Sequence, residues 1–195
     1  GSTGGGCLQS SGSEATLDAL LAARNKKLEK VANKLSTEEQ CPWLAKLMSY
    51  TSQELHSSFQ KAHWIAFTSQ RALVPDENGR LDPNDLRKKI AEDKKKGYIP
   101  FFIGTCLGTT GRAAFDNLTE IGPIAKKENC WLHVDGAYGG NAFICEEFRY
   151  LVKGIEHADS FVLNPNKWMM MGFDCTCMWV KDRKGYEGTF ANQPK

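Results

Sequence analysis

The chain has 195 residues, 41% of them hydrophobic, and a formal net charge of +2, which suits one soluble globular domain with a sizeable core. So small a charge excludes a role built on broad attraction to nucleic acid or an anionic membrane. No signal peptide or membrane-spanning segment is evident, because the longest apolar stretch, Trp168 to Val180, is short and interrupted by Asp174.

In chain order, Ser11 with Glu14 three residues later reads as a capping box that opens a helix. Leu17, Leu20, Leu21, Leu28 and Val31 lay a helical stripe behind it. Ser36 to Gln40 reads as a surface loop, Leu47 to Thr51 as a short strand and Ser57 to Phe67 as a helix. Asp82-Pro83-Asn84-Asp85 combines an N-cap, a proline at the first position and a first-turn acid, so a helix starts there and runs to Gly97. Its lysines, Lys94 to Lys96, complement the helix dipole and read as a solvated face.

Ile99 to Thr105 is a continuous apolar run, hence a buried strand. A helix over Leu118 to Glu128, a strand over Trp131 to Asp135 and a helix over Glu146 to Lys153 follow. Strands over Ser160 to Leu163 and Cys175 to Lys181 complete the order. Alternating β and α elements with buried strands predict an α/β fold, a mostly parallel sheet covered by helices.

Seven cysteines, an odd number without a CxxC framework, point to a reducing, cytoplasmic compartment. The histidines at 56, 63, 133 and 157 do not share metal-ligand spacing with them, so no metal site is expected.

Three segments carry chemistry. In Asn164-Pro165-Asn166-Lys167-Trp168 the lysine precedes Met169, Met170 and Met171. Such an apolar flank predicts a buried amine with a lowered pKa, suited to attack on an aldehyde. An arbitrary lysine would instead snorkel its head to water. In His133-Val134-Asp135-Gly136-Ala137-Tyr138 a carboxylate ends a strand, where open α/β sheets gather ligands; taken alone, Asp135 reads more readily as an N-cap or turn residue. Gln9 to Leu17 places Ser11, Gly12 and Ser13 at a helix start, an anion site suited to phosphate or a well-capped helix and no more. Phosphate cradle, aldehyde-reactive lysine and ring-nitrogen carboxylate together are what pyridoxal phosphate (PLP) requires.

On these segments, and on the region around Leu55 to Ser58, IPFFIGTCLGTTG, AFDNLTEIGPIA and FDCTCMWVKDR, the chain resembles the group II PLP-dependent amino-acid decarboxylases, in the branch of aromatic-L-amino-acid and histidine decarboxylases. The resemblance implies the fold type I (PLP-dependent transferase-like) large domain and PLP as cofactor. It implies an aromatic L-amino acid such as DOPA or 5-hydroxytryptophan as substrate, with catecholamine biosynthesis as the setting. Lys167 would hold the cofactor, Asp135 pair with its pyridine nitrogen, and Gly12 and Ser13 bind its phosphate with Ser11 and Asn164 close by. Ala137 would lie against one ring face and Thr110 near the phenolic oxygen. His56 would stack on the ring beside the substrate carboxylate and take part in proton transfer; relatives that form aldehydes carry asparagine there.

The chain also departs from the family pattern. Asn166 stands where many relatives place histidine or serine. Gly136, Gly139 and Asn141 replace alanines and a serine, which predicts a looser ring pocket. Family members are more than twice as long, so residues 1–195 are expected to be part of the large domain of a homodimer, ending near the start of a mobile catalytic loop. Histidine or tyrosine decarboxylation, or a non-catalytic truncated PLP-binding product, are the alternatives.

Overall fold

The computed structural model describes residues 3–32 and 35–191. Seven strands form one sheet: β1 (Gly5–Gln9), β2 (Leu47–Ser52), β3 (Ser69–Leu73), β4 (Ile99–Cys106), β5 (Trp131–Asp135), β6 (Ser160–Leu163) and β7 (Thr176–Val180). Their spatial order is β1-β7-β6-β5-β4-β2-β3. The pairs from β3 through β6 are parallel, whereas β7 runs antiparallel to both β6 and β1. This is the mostly parallel sheet that the buried apolar runs require.

Helices cover both faces because strand alternation sends neighbouring side chains to opposite sides. Phe102, Val162 and Met178 pack under α1 (Gly12–Val31) and α3 (Ser58–Ala66), whereas Tyr50, Ile103, Leu132 and Val134 pack with α4 (Pro83–Lys95) and α5 (Leu118–Lys127). The face of α1 that meets the sheet consists of Ala15, Ala19, Leu20, Ala22, Ala23 and Leu28. Small residues bring this helix close to the strands; of the predicted stripe, Leu17, Leu21 and Val31 are only partly buried.

Several elements differ from expectation. Thr37–Leu44 is a helix, α2, rather than a loop, closed by a full capping box between Ser36 and Glu39. At α1 only half of the expected box forms. The Ser11 hydroxyl accepts from the Glu14 N–H at 3.1 Å, but the Glu14 carboxylate turns back to the backbone N–H and hydroxyl of Ser10. Glu146–Val152 is a 3-10 segment, flanked by two more at Gly139–Ile144 and Ile155–His157. Among the elements without a sequence signal are β1, glycine-rich and paired to β7; β3, an edge strand; and α7 (Arg183–Phe190).

Two histidines are structural. His63 joins Ser49 of β2 at 2.8 Å to Thr68 at 2.9 Å, tying α3 to the sheet edge. His133 meets Ser160 at 2.7 Å and stacks on Phe102. Burial pulls their pKa values down to about 4 and about 3, from 6.5. The unfolded chain therefore takes up protons below about 6.5 that the folded chain refuses, and stability present above that pH is lost as pH falls. Asp116, pushed up to about 6, and Asp18, Asp135 and Asp159, also raised by burial, oppose this. The His63 share is isolated by comparison: between pH 6.5 and 4 the unfolding free energy of the unaltered protein should fall by on the order of 3 kcal/mol relative to that of His63→Gln. Denaturant titrations of both proteins across this range check it; parallel profiles would contradict it.

Candidate active site

The carboxyl ends of β2, β4, β5 and β6 open on one side of the sheet, the place where α/β folds bind ligands. The segments leaving these strands line a cavity of about 180 Å³. From β6 come Asn164 and Lys167, from β5 Asp135, Ala137 and Tyr138, from β4 Cys106 and Gly108 to Thr110, and from β2 Glu54, His56 and Ser58. The N-terminus of α1 closes it with Ser11, Gly12 and Ser13. Every site residue expected from the sequence lines this cavity.

Asp135 is 8% exposed and ends β5. Burial raises its pKa, against the opposing effects of the Ala137 N–H, bonded to Oδ1 at 2.9 Å, and of the Lys167 and His56 charges. A buried carboxylate of this kind is stabilised by a positively charged or proton-donating partner. At α1, a Cβ on Gly12 would stand 3.3 Å from the Asn164 Oδ1 and 3.7 Å from the Ala137 Cβ. Glycine thus lets the helix N-terminus and the post-β6 turn close on each other. The Asn164 Oδ1 is buried without a hydrogen-bond partner, and so is the Asn166 Oδ1. Such unpaired polar atoms are costly and mark a place for a hydrogen-bonding ligand.

His56 precedes α3 and accepts the Ser58 N–H on Nδ1 at 3.2 Å. A neutral ring so held carries its proton on Nε2. Thr110 is exposed at the rim, whereas the neighbouring Thr109 is 3% exposed and spends its hydroxyl on the Ala114 N–H at 3.1 Å.

Two expectations are corrected. Lys167 is exposed, as are Trp168, Met170 and Met171, so the apolar flank does not bury the amine. The four-residue helix α6 (Pro165–Trp168) instead aims Lys167 at the cavity, and the Trp168 indole N–H holds the Tyr138 carbonyl at 2.5 Å. Nor do the glycines loosen the pocket. A Cβ on Gly139 would meet the Leu107 carbonyl at 2.4 Å, and one on Gly136 the Phe161 ring at 2.5 Å. Asn141 is buried and donates to the carbonyls of Ala137 and Tyr138.

Glu54, Ser58, Cys106, Gly108, Thr109 and Tyr138 went unnoticed in the sequence. Their one legible signal is position, just beyond or at the carboxyl end of a strand. Among the described residues no group of three or more His, Cys, Asp or Glu side chains could hold a metal ion, and no helix is long and apolar enough to cross a membrane.

Fold and cavity define a ligand-binding α/β domain with a lysine, a buried carboxylate and a helix N-terminus in one space. The family model for the pyridoxal-dependent decarboxylase conserved domain matches residues 1–195, and the chain belongs to that family. It is 50% identical to human (Homo sapiens) histidine decarboxylase, over 99% of this chain and 29% of that protein. It is 47% identical to the mouse (Mus musculus) aromatic-L-amino-acid decarboxylase, over 98% of this chain and 40% of that one. Among solved structures, Oryza sativa TDC with PLP and tryptamine superposes with a TM-score of 0.92 at 33% identity, covering 99% of this chain and 39% of that one. The chain therefore spans well under half the length of these relatives.

The tight approach at Gly139 yields a test. Gly139→Ala should cost about 1–3 kcal/mol, because the obstacle is backbone rather than a side chain that can turn away. Chemical denaturation measures it; an unchanged midpoint would show that the two loops are not in contact.

Proposed function

We propose that this chain is part of the cofactor-binding large domain of an enzyme that decarboxylates an aromatic L-amino acid, of the DOPA or 5-hydroxytryptophan type, to its amine and carbon dioxide. The observation that carries the reading is the convergence of Lys167, Asp135, His56 and the α1 N-terminus on one cavity from four separated segments. The residues fit PLP. Ser11, Gly12 and Ser13 offer N–H groups and hydroxyls to a phosphate, and the Asn164 amide brings its Nδ2 donor beside them, 3.5 Å from where a Gly12 Cβ would stand. Asp135 would answer its own burial by pairing with a protonated ring nitrogen. Bound there, the cofactor supplies an electron sink for the pair left when carbon dioxide departs.

The protein's own groups do the rest. Lys167 would hold the cofactor aldehyde, and Asp135 would keep the ring nitrogen charged. Ala137, small and beside Gly12, would lie against one ring face, and Thr110 would reach the phenolic oxygen from the rim. His56, its Nδ1 occupied by the Ser58 N–H, would present Nε2 as the atom that hands over a proton. The whole protein would act in the cytoplasm as a homodimer, in catecholamine biosynthesis. Membership of the decarboxylase family, the free cysteines and the fifteen large apolar side chains exposed among the described residues support that setting.

Reductive trapping with PLP, followed by peptide mapping, should label Lys167; label on Lys153 or Lys181 instead would overturn the assignment. In the full-length protein Asp135→Asn should lower turnover by about two to four orders of magnitude, since breaking a buried charge pair costs about 3–5 kcal/mol.

A separate outcome tests His56. The unaltered full-length enzyme should release amine without stoichiometric aldehyde, and His56→Asn should raise the aldehyde share. Product analysis that finds mainly aldehyde from the unaltered enzyme would refute the decarboxylase reading, and a preference for histidine would refute its aromatic part.

A further inference from the structure

Lys26, Lys27 and Lys30 lie in the last two turns of α1 and line a second cavity, of about 60 Å³, whose other walls include Asn129, Trp131 and Asp159. It opens at the amino ends of β4 and β5, about 20 Å along α1 from Gly12 and so away from the active-site cavity. The lysine amines converge there. Lys27 donates to the Asn129 carbonyl at 2.7 Å, and Lys30 to the Oδ1 of the same residue at 3.0 Å. The Lys26 Nζ stands 5.4 Å from the centre of the Trp131 ring, in cation–π contact.

These charges lack counter-charges. Lys27 is only 8% exposed, yet among the described residues neither it nor Lys30 forms an ion pair; both bond to uncharged oxygens. The carboxylates around them are engaged elsewhere. Glu128 is held by Lys94 at 2.8 Å, Asp182 lies 3.9 Å from Lys26, and the Asp159 Oδ2 accepts the Leu132 N–H at 2.9 Å. Lys26 and Lys30, four residues apart on one helix, repel each other. The α1 dipole favours cations at this end, but that effect is small beside the cost of a buried ammonium without a counter-charge. Burial accordingly lowers the Lys27 pKa. The cavity is several times the roughly 10–15 Å³ that one water needs, which leaves room for a tetrahedral oxyanion.

We propose that this cavity is a second anion site, binding a phosphate dianion, free or as the end of a phosphate monoester, on Lys26, Lys27 and Lys30. Lys27 offers the ion a buried charge, and Lys30 closes over it from the exposed rim. Asp159 is the one lining group that opposes an anion, and the Leu132 N–H together with the Lys26 and Lys181 charges offsets it. The bound ion would join α1 to β5, the helix that begins at Gly12 and the strand that ends at Asp135. Both elements frame the active-site cavity, so the ion braces them at their far ends.

The full-length protein, loaded with PLP and held in phosphate-free buffer at constant ionic strength, provides the test. Calorimetric titration with inorganic phosphate should show one saturable site, weakened about tenfold or more in Lys27→Met and in Lys30→Gln. Lys27→Met keeps the bulk and removes the buried charge. Without phosphate it should be no less stable than the unaltered protein, and it should lose the rise in Tm that phosphate brings. Lys30 is exposed, so Lys30→Gln reads binding without a change in core packing. Glycerol phosphate binding as tightly as inorganic phosphate would identify a monoester as the ligand, and inorganic phosphate binding alone would identify the free ion. No saturable binding by the unaltered protein, or equal binding and equal stabilisation in all three proteins, would overturn the proposal. Both variants lie outside the active-site cavity, so the result stands apart from the cofactor reading.

Discussion

The arrangement turns on one buried carboxylate. Asp135 lies at the end of a strand with both neighbouring strands paired to it, where an isolated negative charge is costly. The Ala137 N–H offsets part of that cost, and the Lys167 and His56 charges offset more, yet the pKa remains raised. A site that keeps its carboxylate short of a partner is ready to take a ligand carrying a proton on nitrogen. The same balance explains why the loop from β5 is so tightly made: the Ala137 N–H must reach back to Asp135 while the Ala137 carbonyl accepts from Asn164 and Asn141.

Everything around Asp135 serves to bring four strand ends together without filling the space between them. Gly108, at φ +92°, lies against Gly139, so the loops leaving β4 and β5 touch backbone to backbone. Asp116 clamps the far end of the β4 loop by accepting the N–H groups of Leu81 and Cys106 at 2.8 and 2.7 Å. The alanine face of α1 sets that helix close over the sheet and delivers its N-terminus beside Asn164. Packing on both faces thus fixes the site as much as the residues that line it.

Much of this was legible in the sequence. The run Trp131 to Asp135 declared both a buried strand and the carboxylate at its end, and its bounds hold to the residue. Asp82 and Pro83 marked the start of α4 through capping chemistry that acts within one turn. Signals that depend on distant partners were not legible. β1 is a strand because β7 pairs with it, since Gly5 and Gly6 carry no pattern of their own. The exposure of Lys167 could not be read from its apolar neighbours, because burial is decided by what packs over a segment. The contribution of the β2 turn, Glu54 and Ser58 included, depends on β2 lying beside β4 although β3 intervenes in the chain.

On the proposed function, Asp135 would hold a protonated ring nitrogen. Nitrogen NMR of the full-length protein loaded with PLP labelled at the ring nitrogen reads this directly. A shift characteristic of protonated pyridine at neutral pH, lost in Asp135→Asn, is the result expected. An unprotonated ring nitrogen beside an intact Asp135 would contradict the account.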